Sequence, residues 1–361
     1  MGTLTDYGYR VVQLEVTNRC NMACSFCPLP IRDLPLADIE PKEAFDVIDS
    51  LALIGGIEFV AFHQFGEPLL YPRIWDCIDK CRTLGLRSQL VTNGLLLTDR
   101  NIDALMEHPP NILRISAQTL NPANHAATRG IEVPFDTYID RVARCVARLI
   151  DHNPGIEEIR TDLAVNEDRY FGVQGAVRYM KEVSGLVDRG DPTIHDETPR
   201  SLRPHLIDLL KRVEQHSRTF TFSPAHLDEC TDRYYSATDM ANGWETAYTL
   251  AENHSITYKR FINGRRISLN YPVERALCGT DILGILADGT VTCCCLDYKG
   301  FTGLGNIFSE DLLSILDRNH EILDGLHTTG QLHFGACKTC LGAPTKVGAA
   351  IKNAVNLVRH R

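Results

Sequence analysis

Cys20, Cys24 and Cys27 follow one another at intervals of four and three residues, directly after the strand-like stretch Val11 to Val16. Thiolates are the ordinary protein ligands of iron–sulfur clusters, and spacings this short let one loop wrap one cluster. Three sulfurs for four irons leave one iron without a protein ligand, and an open position is what a catalytic metal needs to bind a substrate. A zinc ion is the alternative, and it would need a fourth ligand. A second group gathers near the end of the chain: Cys278, Cys293, Cys294, Cys295, Cys337 and Cys340. Cys337 and Cys340 form a tight pair able to grip one metal centre. Four thiolates would close a cluster completely, and they would suit a structural zinc equally well.

These cysteines need elements to hold them. From residue 11 to residue 166 strand and helix signals alternate. Strands are expected at Val11–Val16, Ile57–Phe62, Ser88–Thr92, Ile112–Ser116 and Ile156–Val165. Helices are expected at Pro41–Leu53, Ile74–Leu84, Asp99–His108, Phe135–His152 and Val173–Val183. Such units predict a parallel sheet, since parallel strands need crossovers. Five or six of them fit a partial or complete β/α barrel, with the first cysteine loop at the C-terminal end of a strand, where barrel active sites form. The pattern breaks near residue 186. One helix is legible at Pro204–His216, and Ser255–Phe261 reads as a strand that completes the barrel. Ala287, Asp288 and Gly289 form a hairpin turn whose open end brings Cys278 and Cys294 together.

The spacing of Cys20, Cys24 and Cys27, with Phe26 before the third cysteine, resembles the radical S-adenosylmethionine (SAM) superfamily. Gln64 to Pro68 resembles that family's glycine–glycine–glutamate segment; it departs at Phe65 and keeps Gly66 and Glu67. Thr92, Asn93 and Gly94 after the third strand, and Ser116 at the end of the fourth, match further positions. The resemblance covers about residues 9–185 and implies a 4Fe–4S cluster on the three cysteines, with SAM chelating the fourth iron. It makes Phe26, Gly66, Glu67, Asn93 and Ser116 the cofactor-binding candidates, with Asp162 or Asn166 less specific. It also implies an electron donor such as flavodoxin or ferredoxin. The second group resembles the auxiliary-cluster module of SPASM and twitch enzymes. That selects Cys278, Cys294, Cys337 and Cys340 as ligands of an auxiliary 4Fe–4S cluster. No cysteine follows Cys340, which favours the single-cluster twitch form.

The expected class is therefore α/β: a partial (β/α)6 barrel over residues 1–185, an insertion and last barrel strand over 186–263, and a small α+β twitch- or SPASM-like domain over 264–361. Lys and Arg number 37 against 46 Asp and Glu, and a net charge of −9 argues against a general nucleic-acid binder. No apolar run approaches the ~20 residues that span a bilayer, and the N-terminus lacks a signal-peptide pattern. Thirteen cysteines in a chain expected to be cytoplasmic point to metal rather than disulfides. Cys77, Cys81 and Cys145 fall in helical patterns and read as small buried apolar residues. His125, Arg129, Tyr138, Arg160 and Asp162 are weaker candidates for the barrel mouth, as are polar groups between Phe222 and Cys230. The expected activity is hydrogen-atom abstraction from a small polar metabolite, such as a sugar, aminocyclitol or nucleoside. The auxiliary cluster would assist an oxidation, epimerisation or dehydration. A peptide-modifying maturase and a non-catalytic electron carrier are the alternatives. The terminal stretch from Lys346 reads as a short helix docked on the core, with Val347, Ile351, Val355 and Val358 on one side.

Overall fold

Each strand of the first half presents one apolar face because that face of the sheet must bury itself under helices. The computed structural model of the protein describes residues 2–31, 33–165, 197–236, 244–260 and 270–359. Its first half runs β1 (Val11–Leu14), α1 (Pro41–Ile54), β2 (Phe59–Phe62), α2 (Ile74–Thr83), β3 (Ser88–Thr92), α3 (Asp99–Glu107), β4 (Ile112–Gln118), α4 (Pro122–Arg129), α5 (Phe135–Asp151) and β5 (Glu158–Val165). The second half runs α6 (Pro199–His216), α7 (Pro224–Ser236), β6 (Trp244–Ala251), β7 (His254–Arg260), β8 (Ile282–Ile285), β9 (Thr290–Thr292), β10 (Gly303–Asn306), α8 (Leu312–Arg318), α9 (His320–Asp324), α10 (Gly335–Cys340) and α11 (Lys346–Arg359).

Among the described residues the strands form one sheet in the order β10-β9-β8-β1-β2-β3-β4-β5-β7-β6. Strands β1 to β5 and then β7 are parallel neighbours, as a (β/α)6 barrel requires. The sheet does not close: β1 pairs on its free side with β8, and β7 with the antiparallel β6. It is a partial barrel. Val12, Leu14, Val60, Phe62, Leu113 and Ile115 are buried in the core cluster that also contains Val47, Ile48, Ile78 and Val142 from the helices. Gln13, His63, Arg114, Asp162, Thr257 and Lys259 alternate with that apolar set and occupy the inner face. Cys77, Cys81 and Cys145 are wholly buried on the helices, as their apolar spacing implies, and burial pushes the Cys77 and Cys145 thiols up to about 12.

Four features differ from the sequence expectation. Helix α6 begins five residues before Pro204, because Thr198 caps it (Ser201 N–H to Thr198 Oγ1, 3.2 Å) and Pro199 supplies the first-turn proline. The hairpin β8–β9, with Gly289 at φ 83°, is not a detached module: β8 extends the barrel sheet as a parallel neighbour of β1. Strand β6 was not legible in the sequence, and α7, which holds Phe222's neighbours His226 and Cys230, packs His226 edge-on against Tyr248 of β6 at 4.8 Å. Helix α11 docks by the opposite side from the one its apolar residues suggest. Val347, Ile351 and Val355 are exposed, while Lys352 Nζ donates to Gly342 O (2.5 Å), Asn353 Oδ1 accepts from Glu274 N–H (2.8 Å) and Asn356 Nδ2 donates to Arg275 O (2.7 Å). Fixed backbone groups hold that polar face, and it outweighs the valine stripe. The helix expected at Val173–Val183, and Asn166, lie outside the described residues.

Candidate active site

The loop after β1 carries Cys20, Cys24 and Cys27, all half-buried. Its base is pinned where it leaves and rejoins the fold. Arg19 donates to both oxygens of Asp38 (Nε 2.9 Å, Nη2 2.5 Å), Thr17 Oγ1 donates to Asp38 Oδ1 (2.6 Å), and the Asn18 side chain bonds Pro35 O and Ala37 N–H. Its middle is tied to the end of α4: Ala23 N–H donates to Arg129 O (3.2 Å) and Ser25 N–H to Thr128 O (2.9 Å). Gly130, at φ 59°, ends that helix with its Cα so near Ala23 that an added Cβ would stand 2.7 Å from Ala23 O. The three sulfurs are thus presented by backbone whose own hydrogen bonds are satisfied elsewhere. Phe26 lies half-buried in the turn between Cys24 and Cys27.

Gly66 and Glu67 lie after β2 and face this loop. Gly66 is required by close approach rather than by its dihedral angles: a Cβ there would sit 1.9 Å from Thr17 O. The contact lets Glu67 N–H reach Arg19 O at 2.8 Å. The Glu67 carboxylate is buried and accepts from Thr92 Oγ1 (2.8 Å), Asn93 N–H (2.8 Å) and Leu69 N–H (3.2 Å). Burial pushes it up to about 7 against the pull of those hydrogen bonds and of Arg129. Asn93 Nδ2 reaches Asn21 Oδ1 (2.7 Å) and lies 3.7 Å from Cys20 Sγ, so the strand ends after β2 and β3 meet at the first cysteine.

Ser116 near the end of β4 is bracketed by two residues that the sequence pattern left weak or unmarked. Gln118 Nε2 donates to Ser116 Oγ (2.6 Å), and Arg129 Nη2 donates to Ser116 O (3.2 Å). Gln118 is the one non-glycine residue among those described with positive φ (67°), where the β4–β5 register also shifts. Backbone strain of this kind concentrates at functional sites. Arg129 is buried with its Nε unpartnered, beside Glu67 and Cys24. Tyr138 Oη donates to Asn93 O (3.0 Å) and its ring packs on His125 at 4.6 Å, so both buttress the strand ends. Arg160 and Asp162 lie on the inner face of β5, deeper than the cysteine loop.

The second cysteine group surrounds a cavity of about 620 Å³ whose wall includes Cys278, Cys294, Cys337 and Cys340. Cys293 and Cys295 are not among its lining residues. Cys293 is fully buried under Tyr9, whose hydroxyl donates to Cys293 O at 3.0 Å, and Cys295 Sγ turns to Thr280 Oγ1 at 3.7 Å. Pro28 and Phe65 also line the cavity, so residues next to Cys27 and to Gly66 form part of its wall. Phe65 stands edge-on to Tyr298 at 5.9 Å, and Tyr298 in turn to Phe301 at 6.0 Å. Gln64 Nε2 donates to Asp297 O (2.7 Å), a second bond between the barrel and the cysteine-rich segment.

Such an arrangement of sheet, cysteine loop and thiol-lined cavity defines a family. The chain belongs to the radical SAM superfamily and carries a C-terminal SPASM module. The sequence model of the Radical SAM superfamily matches residues 14–156, and that of an iron-sulfur cluster-binding domain matches residues 278–341. These domains imply a 4Fe–4S cluster with SAM, and auxiliary iron–sulfur clusters. Among curated proteins, the tungsten-containing aldehyde ferredoxin oxidoreductase cofactor-modifying protein of Pyrococcus furiosus is 24% identical over 173 residues, 47% of this chain and 48% of that one. A PqqA peptide cyclase of Xanthomonas oryzae pv. oryzae is 30% identical over 113 residues, 31% of this chain and 30% of its own. The matched stretch therefore spans about half the length of these relatives or less. Streptococcus suis SuiB bound to S-adenosylmethionine shares the fold, with a TM-score of 0.52 at 15% identity over 90% of this chain and 70% of that one. Among the described residues no helix is long and apolar enough to cross a membrane.

Proposed function

We propose that the protein is a radical SAM enzyme acting on a small polar metabolite, with one auxiliary cluster beside the substrate site. The observation that carries this reading is the adjacency of two thiol sites, one of three cysteines and one of four, through the shared wall of Pro28 and Phe65. When bound, the cluster and SAM supply a 5′-deoxyadenosyl radical that takes a hydrogen atom from the substrate. Cys20, Cys24 and Cys27 would hold the first cluster. Their loop carries the donor chemistry for it: three half-buried thiols on backbone that is hydrogen-bonded to the end of α4. Glu67 would accept the SAM ammonium and Arg129, whose buried Nε lacks a partner, its carboxylate. Gly66, Asn93, Ser116 and Phe26 shape that pocket.

Cys278, Cys294, Cys337 and Cys340 would hold the auxiliary cluster. Four thiols set around a cavity of this volume suit a cluster better than a single zinc ion, which needs its ligands drawn to one point. Leu296, Leu326 and Leu341 make much of the cavity wall apolar, which lowers the polarity around a redox centre. An auxiliary cluster held there would supply a one-electron acceptor for a substrate radical, or a relay for electrons from a flavodoxin- or ferredoxin-type donor. A peptide substrate is the second reading, favoured by the match to a peptide cyclase. The small-molecule reading draws on the inner face of the barrel, where Gln13, Arg160, Asp162 and Thr257 are polar and buried.

The test is anaerobic reconstitution followed by reduction in the presence of SAM. Methionine and 5′-deoxyadenosine should form, with iron and sulfide for two 4Fe–4S clusters per chain. A reduced, fully loaded protein that leaves SAM intact would hand the case to a non-catalytic electron carrier.

A further inference from the structure

The protein has a net charge of −9, yet the inner face of its barrel gathers cations. Arg114 on β4, Arg160 on β5 and Lys259 on β7 all point there. Two carboxylates answer two of them. Asp162 accepts from Arg114 Nε (3.1 Å) and Nη2 (2.5 Å), and Glu158 pairs with Arg160 at 2.6 Å. Asp162 is further occupied by Thr257 Oγ1 (2.8 Å). Among the described residues Lys259 is then the cation left over, half-buried and two residues beyond Thr257 on the same strand face. It lies in the field of Arg114, Arg160 and Asp162 on one side and Cys295 on the other, and burial followed by Arg114 pushes its amine below the usual range. A half-buried cation beside two others, with Asp162 already engaged by Arg114 and Thr257, is stabilised when a further anion joins it.

A second, independent feature lies alongside. His63 follows β2 and shares this face, held neutral at about 3 by burial and by the Arg114 and Lys259 charges. Gln13 Nε2 lies 3.3 Å from His63 Nε2, while His63 Nδ1 is buried without a partner. An orphaned ring nitrogen here asks for a polar ligand atom. The position is also apt for a substrate. Arg114 is one inner-face step below Ser116 on β4, and Cys295 adjoins the auxiliary cysteines.

We propose that Lys259, with Arg114 and His63 beside it, anchors an oxyanion of the substrate, a carboxylate or a phosphate, on the inner face of the barrel. This rests on the reading that the chain is a radical SAM enzyme with a small polar substrate, and it narrows that class to anionic molecules.

Inorganic phosphate, succinate and, as the neutral control, glycerol are titrated calorimetrically into the reconstituted protein with saturating SAM. At least one anion should bind saturably and glycerol should not; which anion binds assigns the phosphate or the carboxylate class. Lys259→Met should weaken that binding roughly tenfold or more, as loss of one charge-assisted hydrogen bond implies, and Lys259→Arg should largely retain it. Acetylation of the parent protein by acetic anhydride, mapped by peptide mass, provides a check that needs no variant: the bound anion should protect Lys259. Binding of neither anion, equal binding by Lys259→Met, absence of protection, or displacement of the anion by SAM each overturns the proposal. SAM cleavage by the same preparation keeps the two readings apart. Failure of cleavage with intact anion binding would sink the enzymatic reading alone, and cleavage without anion binding would sink this one alone.

Discussion

Cys20, Cys24 and Cys27 come from a single loop, whereas Cys278, Cys294, Cys337 and Cys340 come from three separate segments. The first site is held by hydrogen bonds to neighbouring backbone at strand ends and keeps one side open. The second is gathered by packing around a cavity lined by Leu296, Leu326, Leu341, Pro28 and Phe65. A loop site is specified locally, so its failure is chemical: a missing sulfur. A gathered site depends on the tertiary fold, so it can also fail by loosening. Three thiols leave one iron of a four-iron cluster free to bind a small molecule, whereas four thiols would ligate a cluster completely.

The largest expected contrast tests this division directly. Cys24→Ala should reduce 5′-deoxyadenosine formation to background and cost the iron of one cluster. Cys337→Ala should cost the same iron but retain SAM cleavage, uncoupled from any product. Iron and sulfide content measured with 5′-deoxyadenosine by mass spectrometry checks both. Equal cleavage by the Cys24 variant and the parent would remove the loop from the mechanism.

Next in size is Gly66→Ala. Its Cβ would fall 1.9 Å from Thr17 O, a backbone atom that cannot rotate away. Forced backbone shifts of this kind cost ~1–3 kcal/mol or more, and here they also move Glu67 off Arg19 O. The variant should melt below the parent and load the first cluster poorly while the auxiliary iron remains. Unchanged melting and full iron would show that the approach of the two strand ends is not rigid.

Glu67 yields a pH signature confined to the first site. Burial raises its carboxyl from the ordinary 4.5 to about 7, so the folded state prefers the protonated form. The stability it contributes is complete below about pH 4.5 and is lost as pH rises through about 7. In the protein without SAM, the parent should lose stability relative to Glu67→Gln across that window, by roughly a few kcal/mol at most. Saturating SAM, whose ammonium favours the ionised carboxylate, should flatten the difference. Urea unfolding of both proteins at a series of pH values measures it, and parallel curves would mean that Glu67 is ionised throughout.

The loop was legible because its chemistry is contiguous. Cysteine spacing, Gly66 with Glu67 and Asn93 after their strands all appear in order along the chain, and alternating strand and helix signals run through the same stretch. What stayed hidden depends on long-range pairing. Nothing in Ile282–Ile285 says that it will lie beside Val11–Leu14. Alternation assigns Arg114, Arg160, Asp162 and Lys259 to one face, yet it cannot say which charges neutralise one another. Phe65, which breaks the family's glycine pattern, has its reason in Tyr298, far away in sequence. In α11 the apolar stripe suggested a buried face, and the backbone groups of Glu274, Arg275 and Gly342 selected the other one.

That last helix supplies the smallest effect, and one that should touch the gathered site alone. Lys352 Nζ donates to Gly342 O (2.5 Å) and Leu341 O (3.4 Å), the carbonyls that follow α10 and its Cys337–Cys340 pair. A cation there complements the C-terminal end of the helix and satisfies groups left over by it, together worth about 1–2 kcal/mol. Burial lowers the Lys352 amine, with Cys340 acting in the opposite sense, so the ammonium and that sulfur share one field. Lys352→Met should therefore lower the melting temperature by about 2–4 °C. It should also shift the auxiliary cluster to a more negative potential, since a positive charge that favours the reduced form is gone. Redox titration followed by electron paramagnetic resonance separates the two clusters. A shift confined to the auxiliary signal is the expected result, and an equal shift of both would mean that the Pro28 and Phe65 wall does not divide the sites electrostatically.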